Sequence, residues 1–311
     1  MNTSLNENEN ALVAETKIKP HDQSPKCKTR MPLRVFTPLS KPEFQPDIID
    51  TVNLSDPQFL GEYAAEIYHN LYVYEDLASF NPDYIKNQPG LSYKMRAILI
   101  DWLVSVHLKF KLLTETLYLT VNYIDRYLEK RPVPKSNLQL VGATALFISC
   151  KYEEIIPVTV DDFVIITDKT YTRDQILVME RDMLAALDFN LTVVTTWRFL
   201  ERLEMVAELD MKMSFFVRYL CELALVEYHM LKYKASMIAA SAVYLCQKLH
   251  KIDPSWSARL VSCSRYNESE LRACAKDLLI LFQAAPKHSL VGVREKYSKS
   301  SFFEVAKLKI I

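Results

Sequence analysis

The sequence predicts an all-α protein: two tandem bundles of about five helices each, preceded by an N-terminal helix and a disordered tail. Three observations lead there. Only 4 of the 311 residues are glycine, too few for Gly-rich phosphate loops, turn-rich β folds or Rossmann-type domains. Apolar residues recur at helical spacing, and Leu, Ala, Met, Glu, Lys and Arg abound. One pair of helices also occurs twice. GATALFISCK, ending at Lys151, matches AASAVYLCQK, ending at Lys248, 97 residues later. Tyr171, Ile176, Asp182 and Leu184 match Tyr266, Leu271, Asp277 and Leu279, 95 residues later.

Taken in order, the first 57 residues hold seven of the 14 prolines and lack sustained apolar periodicity. Such a segment cannot bury enough surface to offset its conformational entropy, so residues 1–55 are expected to be a disordered tail. Between Lys17 and Lys41 there are seven Lys/Arg and one Asp, a stretch that reads as a solvated linker or as a nuclear-import or regulatory segment. Asp56-Pro57 has the form of an N-cap and first-turn proline, and helical periodicity then runs from Phe59 to Leu77. After a linker at 81–90 comes the clearest helix. Met95, Ile98, Leu99, Trp102, Leu103, Val106 and Phe110 fall at offsets 0, 3, 4, 7, 8, 11 and 15. Ala97, Ile100 and Val104 make its other faces apolar too, the mark of a helix central to a bundle. Helices over Thr114–Leu128, Asn137–Tyr152, Val160–Ile166 and Arg173–Leu187 follow, with capping boxes at Ser136-x-x-Gln139 and Thr172-x-x-Gln175. Pro132, Pro134 and Pro157 punctuate the connections, and the second bundle is joined near Asn190–Trp197.

Bulk properties exclude several functions. The formal net charge is zero, so no nucleic-acid partner is expected. Cys27, Cys150, Cys221, Cys246, Cys263 and Cys274 form no CxxC pair and sit mostly in apolar runs, reading as reduced core thiols of an intracellular protein. The start MNTSLNENEN has no apolar stretch of signal-peptide type, and the longest apolar run, Leu140–Cys150, is too short to cross a bilayer, so no membrane partner is expected. The six histidines form no HExxH or paired ExxH motif, so neither a metal nor another cofactor nor a catalytic residue is expected.

Four charges fall where a core should be. Asp125 follows Tyr118 by seven and Val121 by four; Arg96 sits on the all-round apolar helix; Lys151 follows Phe147 by four; Glu180 lies between Ile176 and Leu184. A buried charge needs a partner, and two pairings satisfy all four: Arg96 with Asp125, and Lys151 with Glu180. Internal bridges account for both, and Lys151 also has the alternative of meeting its own helix C-terminus beside Glu153 and Glu154. The second repeat has Ala275 where the first has Glu180, so that pair is not a requirement of the fold alone.

With those residues stand four long segments: MRAILIDWLVSV (Met95–Val106), ETLYLTVNYIDRYL (Glu115–Leu128), LQLVGATALFISCKYEEI (Leu138–Ile155) and TYTRDQILVMERDML (Thr170–Leu184). They closely resemble the cyclin box, and the resemblance extends from about Asp56 to REKYSKS at 294–300. FKLLTETLYLTV, CKYEEI and DPQFLGEYAAEIYHNL are similar to mitotic B-type cyclins. On this resemblance the chain divides into a regulatory tail (1–55), an N-terminal helix and linker (56–93), an N-terminal cyclin box (94–190), a C-terminal cyclin box (191–290) and a C-terminal extension (291–311).

The resemblance implies the regulatory subunit of a cyclin-dependent protein kinase that acts at the G2/M transition, in nucleus and cytoplasm; an A-type or other cyclin with a different kinase is the alternative. It implies that Lys151 and Glu180 are paired and hydrogen-bond the kinase chain just before its mobile C-helix. Ile148, Tyr152, Glu154, Leu184, Phe189 and Leu191, with Tyr63 and Ile67 from the preceding helix, match the rest of that contact. Met95, Ile98, Leu99, Trp102, Leu138 and Gln139 match a groove for substrates and inhibitors with RxL-type motifs. Where A-type members place a Glu for the motif's basic residue this chain has Ser105, so weaker docking is expected. Arg30 and Leu33 fit the RxxL core of a destruction box read by the ubiquitin ligase of mitotic exit, although Pro38 stands where the family usually has Asn. Ser24-Pro25 and Thr37-Pro38 are minimal proline-directed phosphorylation sites. A promoter-binding cyclin-fold factor would bring a zinc ribbon and a basic face, and neither is present in the sequence.

Overall fold

The computed structural model describes residues 47–52, 60–77 and 80–308. Among them are thirteen α-helices and no strand. Two precede the repeats: α1 (Ile48–Val52) and α2 (Ala64–Leu77), the latter entered through a 3-10 turn at Gly61–Tyr63. The first repeat comprises α3 (Tyr93–Phe110), α4 (Thr114–Lys130), α5 (Leu138–Glu153), α6 (Val160–Ile166) and α7 (Arg173–Ala186). The second comprises α8 (Thr196–Val206), α9 (Met211–Val226), α10 (Ala235–Leu249), α11 (Ala258–Ser264) and α12 (Glu268–Ala284). A short helix, α13 (Gly292–Tyr297), and 3-10 turns follow. No helix among the described residues is long and apolar enough to cross a membrane.

Each repeat is built around one helix that is covered on every side. Leu140–Cys150 of α5 and Ala239–Gln247 of α10 are buried without interruption. These are the duplicated small-residue segments, and small side chains let neighbouring helices close in. At Gly142 a Cβ would stand 2.6 Å from Leu99 Cδ1, so α3 packs closely on α5 there and a larger residue would have to displace the Leu99 side chain. The tyrosines of the repeat also act alike: Tyr171 donates to the Ser136 carbonyl just before α5, and Tyr266 meets the Ser236 hydroxyl in the first turn of α10.

Three expectations are revised. The Met95–Phe110 helix is not the central one: α3 leaves Lys94, Ile98, Ser105 and Lys109 exposed and splits its apolar faces between two cores. Leu99, Leu103 and Val106 join the first core, while Val104 packs with Leu117 and Tyr118 into the second. The capping box at Ser136 does not form, because a 3-10 turn at Lys135–Asn137 leads directly into α5 and leaves Ser136 outside the cap; the box at Thr172 and Gln175 is present. The expected start of order at Asp56-Pro57 lies outside the described residues, whereas α1 lies inside the stretch expected to be a disordered tail. Its order comes from ion pairs, since Asp47 meets Arg259 and Asp50 meets Arg202. Cys150, Cys221, Cys246, Cys263 and Cys274 are buried and free; Cys27 lies outside the described residues.

Candidate functional site

The C-terminus of α5, the C-terminal half of α7 and the turn after α7 meet at one surface of the first repeat. Lys151 occupies the last turn of α5 and Glu180 the buried side of α7 between Ile176 and Met183. Lys151 Nζ bonds Glu180 Oε1. The pair is asymmetric: the Lys side chain is 41% exposed and the Glu 11%. Nζ also stands 4.2 Å above the Phe147 ring, a cation–π contact that steadies it from below. Neither neighbouring acid takes this role. Glu153 lies 3.7 Å from Arg198, and Glu154 Oε1 accepts from the Leu113 amide (2.8 Å) and Thr116 hydroxyl (2.5 Å), closing the N-terminus of α4.

Beside the pair, Tyr152 is exposed, its hydroxyl 2.7 Å from that of Thr192. Phe189 is 71% exposed, on a turn where Asp188 and Phe189 both have positive φ, 53° and 55°. Two successive left-handed residues, neither of them glycine, cost energy that something must compensate. Side chains of α4 do so: Lys130 Nζ donates to the Ala186 carbonyl, Arg126 to the Asn190 carbonyl, and Tyr123 to the Leu191 carbonyl, at 2.7, 3.0 and 2.8 Å. The turn is thus fastened on both sides of an aromatic ring held out in water. Tyr63 and Ile67 are likewise exposed, on α2 and the turn that enters it.

The expected contact residues differ in exposure. Ile148 is only 2% exposed because α5 is covered all round, so it can support this surface but adds no area to it. Leu184 and Leu191 are half-buried against the same core. Glu154 is engaged within the repeat, as above. Conversely, Ile155 and Ile156 are 96% and 86% exposed immediately after α5. Two adjacent isoleucines before a proline carry no helical periodicity, but an apolar pair in a turn was the available signal. Tyr123, Arg126 and Lys130 were also missed, since bonds to loop carbonyls leave no sequence pattern.

The second surface runs along α3. Ile98 is exposed, Met95, Trp102 and Gln139 are half-buried, and Leu99 and Leu138 are buried. Ser105 is exposed one turn beyond Trp102. Arg96 and Asp125 form a closed pair beneath: Nε and Nη2 each lie 2.7 Å from a carboxylate oxygen, and both side chains are almost fully buried. Tyr84 donates to the same carboxylate at 2.6 Å, and Arg96 Nη1 reaches across to the Leu225 and Val226 carbonyls of α9. Arg30 and Leu33 lie outside the described residues, as do Ser24-Pro25 and Thr37-Pro38.

Comparison with known families and proteins bears on both repeats. The family described as cyclin, N-terminal domain matches residues 66–192, and that described as cyclin, C-terminal domain matches 194–310. Cyclin-B2-1 of Oryza sativa subsp. japonica is 42% identical over 259 residues, covering 83% of this chain and 62% of the relative. The G2/mitotic-specific cyclin-B of Dictyostelium discoideum is 40% identical over 267 residues, covering 86% of this chain and 61% of that protein. The chain thus spans about three fifths of the length of these relatives. A viral cyclin from herpesvirus saimiri has the same fold, with a TM-score of 0.63 at 20% identity over 69% of this chain and 96% of that one. The chain belongs to the cyclin family, carries both cyclin domains in tandem, and has B-type cyclins among its relatives at about 40% identity.

Proposed function

We propose that this chain is the regulatory subunit of a cyclin-dependent protein kinase, acting at the G2/M transition in nucleus and cytoplasm, and that it docks on the kinase through its first cyclin box. One observation carries the reading: a half-open ammonium held by a buried carboxylate, with exposed Tyr152 and Phe189 beside it. In the second box the position matching Glu180 is Ala275. Lys151 spends one donor on Glu180, and an ammonium has three, so donors remain for carbonyls of a partner chain. The relative named G2/mitotic-specific cyclin-B supports the timing, and Cyclin-B2-1 supports the B-type reading. The cyclin contributes no group to phosphoryl transfer. It binds the active arrangement of the kinase better than the inactive one and shifts the population accordingly.

Reconstitution with a purified cell-cycle kinase tests this. Lys151→Ala or Glu180→Ala is expected to remove most activation while the cyclin stays folded by circular dichroism; full activation by both variants refutes the assignment. Substrates and inhibitors with RxL-type motifs dock on α3 at Met95, Ile98 and Trp102, over the floor made by Leu99, Leu138 and Gln139. Ser105→Glu is expected to tighten an RxL peptide by about tenfold, through one charge-assisted contact at the groove's edge. Equal peptide affinity for both proteins sinks that part. The tail motif Arg30-x-x-Leu33 hands the protein to the ubiquitin ligase of mitotic exit.

A further inference from the structure

The segment ahead of the first box is fastened to the second. Asp47 takes both ends of the Arg259 guanidinium at 2.9 and 3.2 Å, and Asp50 takes Arg202 at 2.7 and 2.8 Å. Tyr72 of α2 donates to the Cys263 and Ser264 carbonyls at the end of α11. Glu75 accepts from the amide and hydroxyl of Ser236 in the first turn of α10, and Asp76 meets Lys234 at 2.5 Å.

Arg202 is the hub of this arrangement. It belongs to α8, is 4% exposed, holds Asp50 of α1, and stacks its guanidinium 4.3 Å over the Tyr68 ring of α2. One side chain of the second box therefore fixes both helices that precede the first. Helix α1 has five residues, too short to persist without such anchors. A cavity of about 580 Å³ opens between α1, α2 and α8, so at this end of α2 directional bonds add to the hold that Leu71 and Tyr72 gain by packing against the second core. Ile67, on the rim of that cavity, is the neighbour of Tyr68, and adjacent helical positions differ by a fixed rotation, so the stack of Arg202 on Tyr68 sets the direction of Ile67 at this end of α2, while Tyr72, Glu75 and Asp76 anchor the far end.

We infer that Arg202 and Asp50 are positioning residues for kinase docking: they set the rotation of α2 at which Tyr63 and Ile67 join the surface of the first box. This rests on the docking function proposed above. It gives the second box a share in partner binding without a contact of its own.

The test uses the full chain and a purified cell-cycle kinase, with affinity read by titration calorimetry. Asp50→Asn is expected to weaken binding about tenfold, within the range of coupled neighbouring residues. In a Tyr63→Ala/Ile67→Ala background the same change should have no further effect, because the contact it positions is gone. In a Lys151→Ala background it should add in full. Amide exchange of the free protein gives a second readout, with faster exchange expected across α2 and none of the change in α5. Wild-type affinity for Asp50→Asn, equal weakening in both backgrounds, or unchanged protection of α2 overturns the inference. If wild type itself does not bind the kinase, the docking function falls, and this inference falls with it.

Discussion

Glu115 is a carboxylate that burial works against. It is 5% exposed at the start of α4, accepts from the Thr195 hydroxyl at 2.6 Å, and lies 3.7 Å from Arg198. Burial pushes its pKa from the usual 4.5 up to about 7, against the opposing pull of Thr195 and Arg198. A carboxyl whose folded pKa is raised contributes its stability below the unfolded value and loses it as pH rises through the folded one. That window runs from about 4.5 to about 7. Glu115→Gln should therefore melt higher than wild type at about pH 8 and show no such advantage at about pH 4, as melting curves at the two values would reveal. At this scale the sequence was readable wherever a charge interrupted an apolar stripe: Arg96, Asp125, Lys151 and Glu180 each had to find a partner. It was not readable where a side chain could be covered or already engaged. A position carried over from a family says that a residue matters there, not whether Ile148 is roofed over or Glu154 is holding the end of α4.

Among elements, the two capping boxes written in the sequence separate cleanly. Thr172 accepts from the Gln175 amide and Gln175 returns the bond to the Thr172 amide, whereas Ser136 lies in a 3-10 turn and α5 starts two residues later. Thr172→Ala is expected to cost about 1 kcal/mol in urea unfolding, and Ser136→Ala less than about 0.5 kcal/mol. A loss below about 0.5 kcal/mol for Thr172→Ala would mean that the cap at α7 contributes little. Helix type and position were legible because apolar periodicity is a property of the stripe that is buried. Helix α1 was not, because five residues show no period and its order comes from Arg202 and Arg259, more than 150 residues away in sequence. The turn at Asp188 and Phe189 was equally silent, since its left-handed residues are not the glycines that usually announce one.

In the whole molecule the two repeats are not independent. The duplication was visible as matching segments, but matching segments say nothing of how the copies join. Val104, Leu117 and Tyr118 belong to the first box by sequence and to the second core by packing. The second box, in return, holds α1 and α2, the helices that precede the first. The asymmetry at Glu180 and Ala275 has a counterpart in the packing: one box carries the charged pair, and the other fastens the two helices that precede it.

The reach of Arg96 across that junction has a thermodynamic consequence. Its guanidinium neutralises Asp125 in one repeat and, through Nη1, caps the last carbonyls of α9 in the other. Pulling the repeats apart would leave those carbonyls bare and open a deeply buried ion pair to disruption, a state costly enough to be scarcely populated. Unfolding is then all-or-none across both boxes. Calorimetry should give a single transition whose van't Hoff enthalpy equals the measured one, and two resolved transitions would mean that each box melts alone. The protein would accordingly have no long-lived half-folded form: a damaged second box is a damaged first box, and the molecule is either whole or open to degradation throughout.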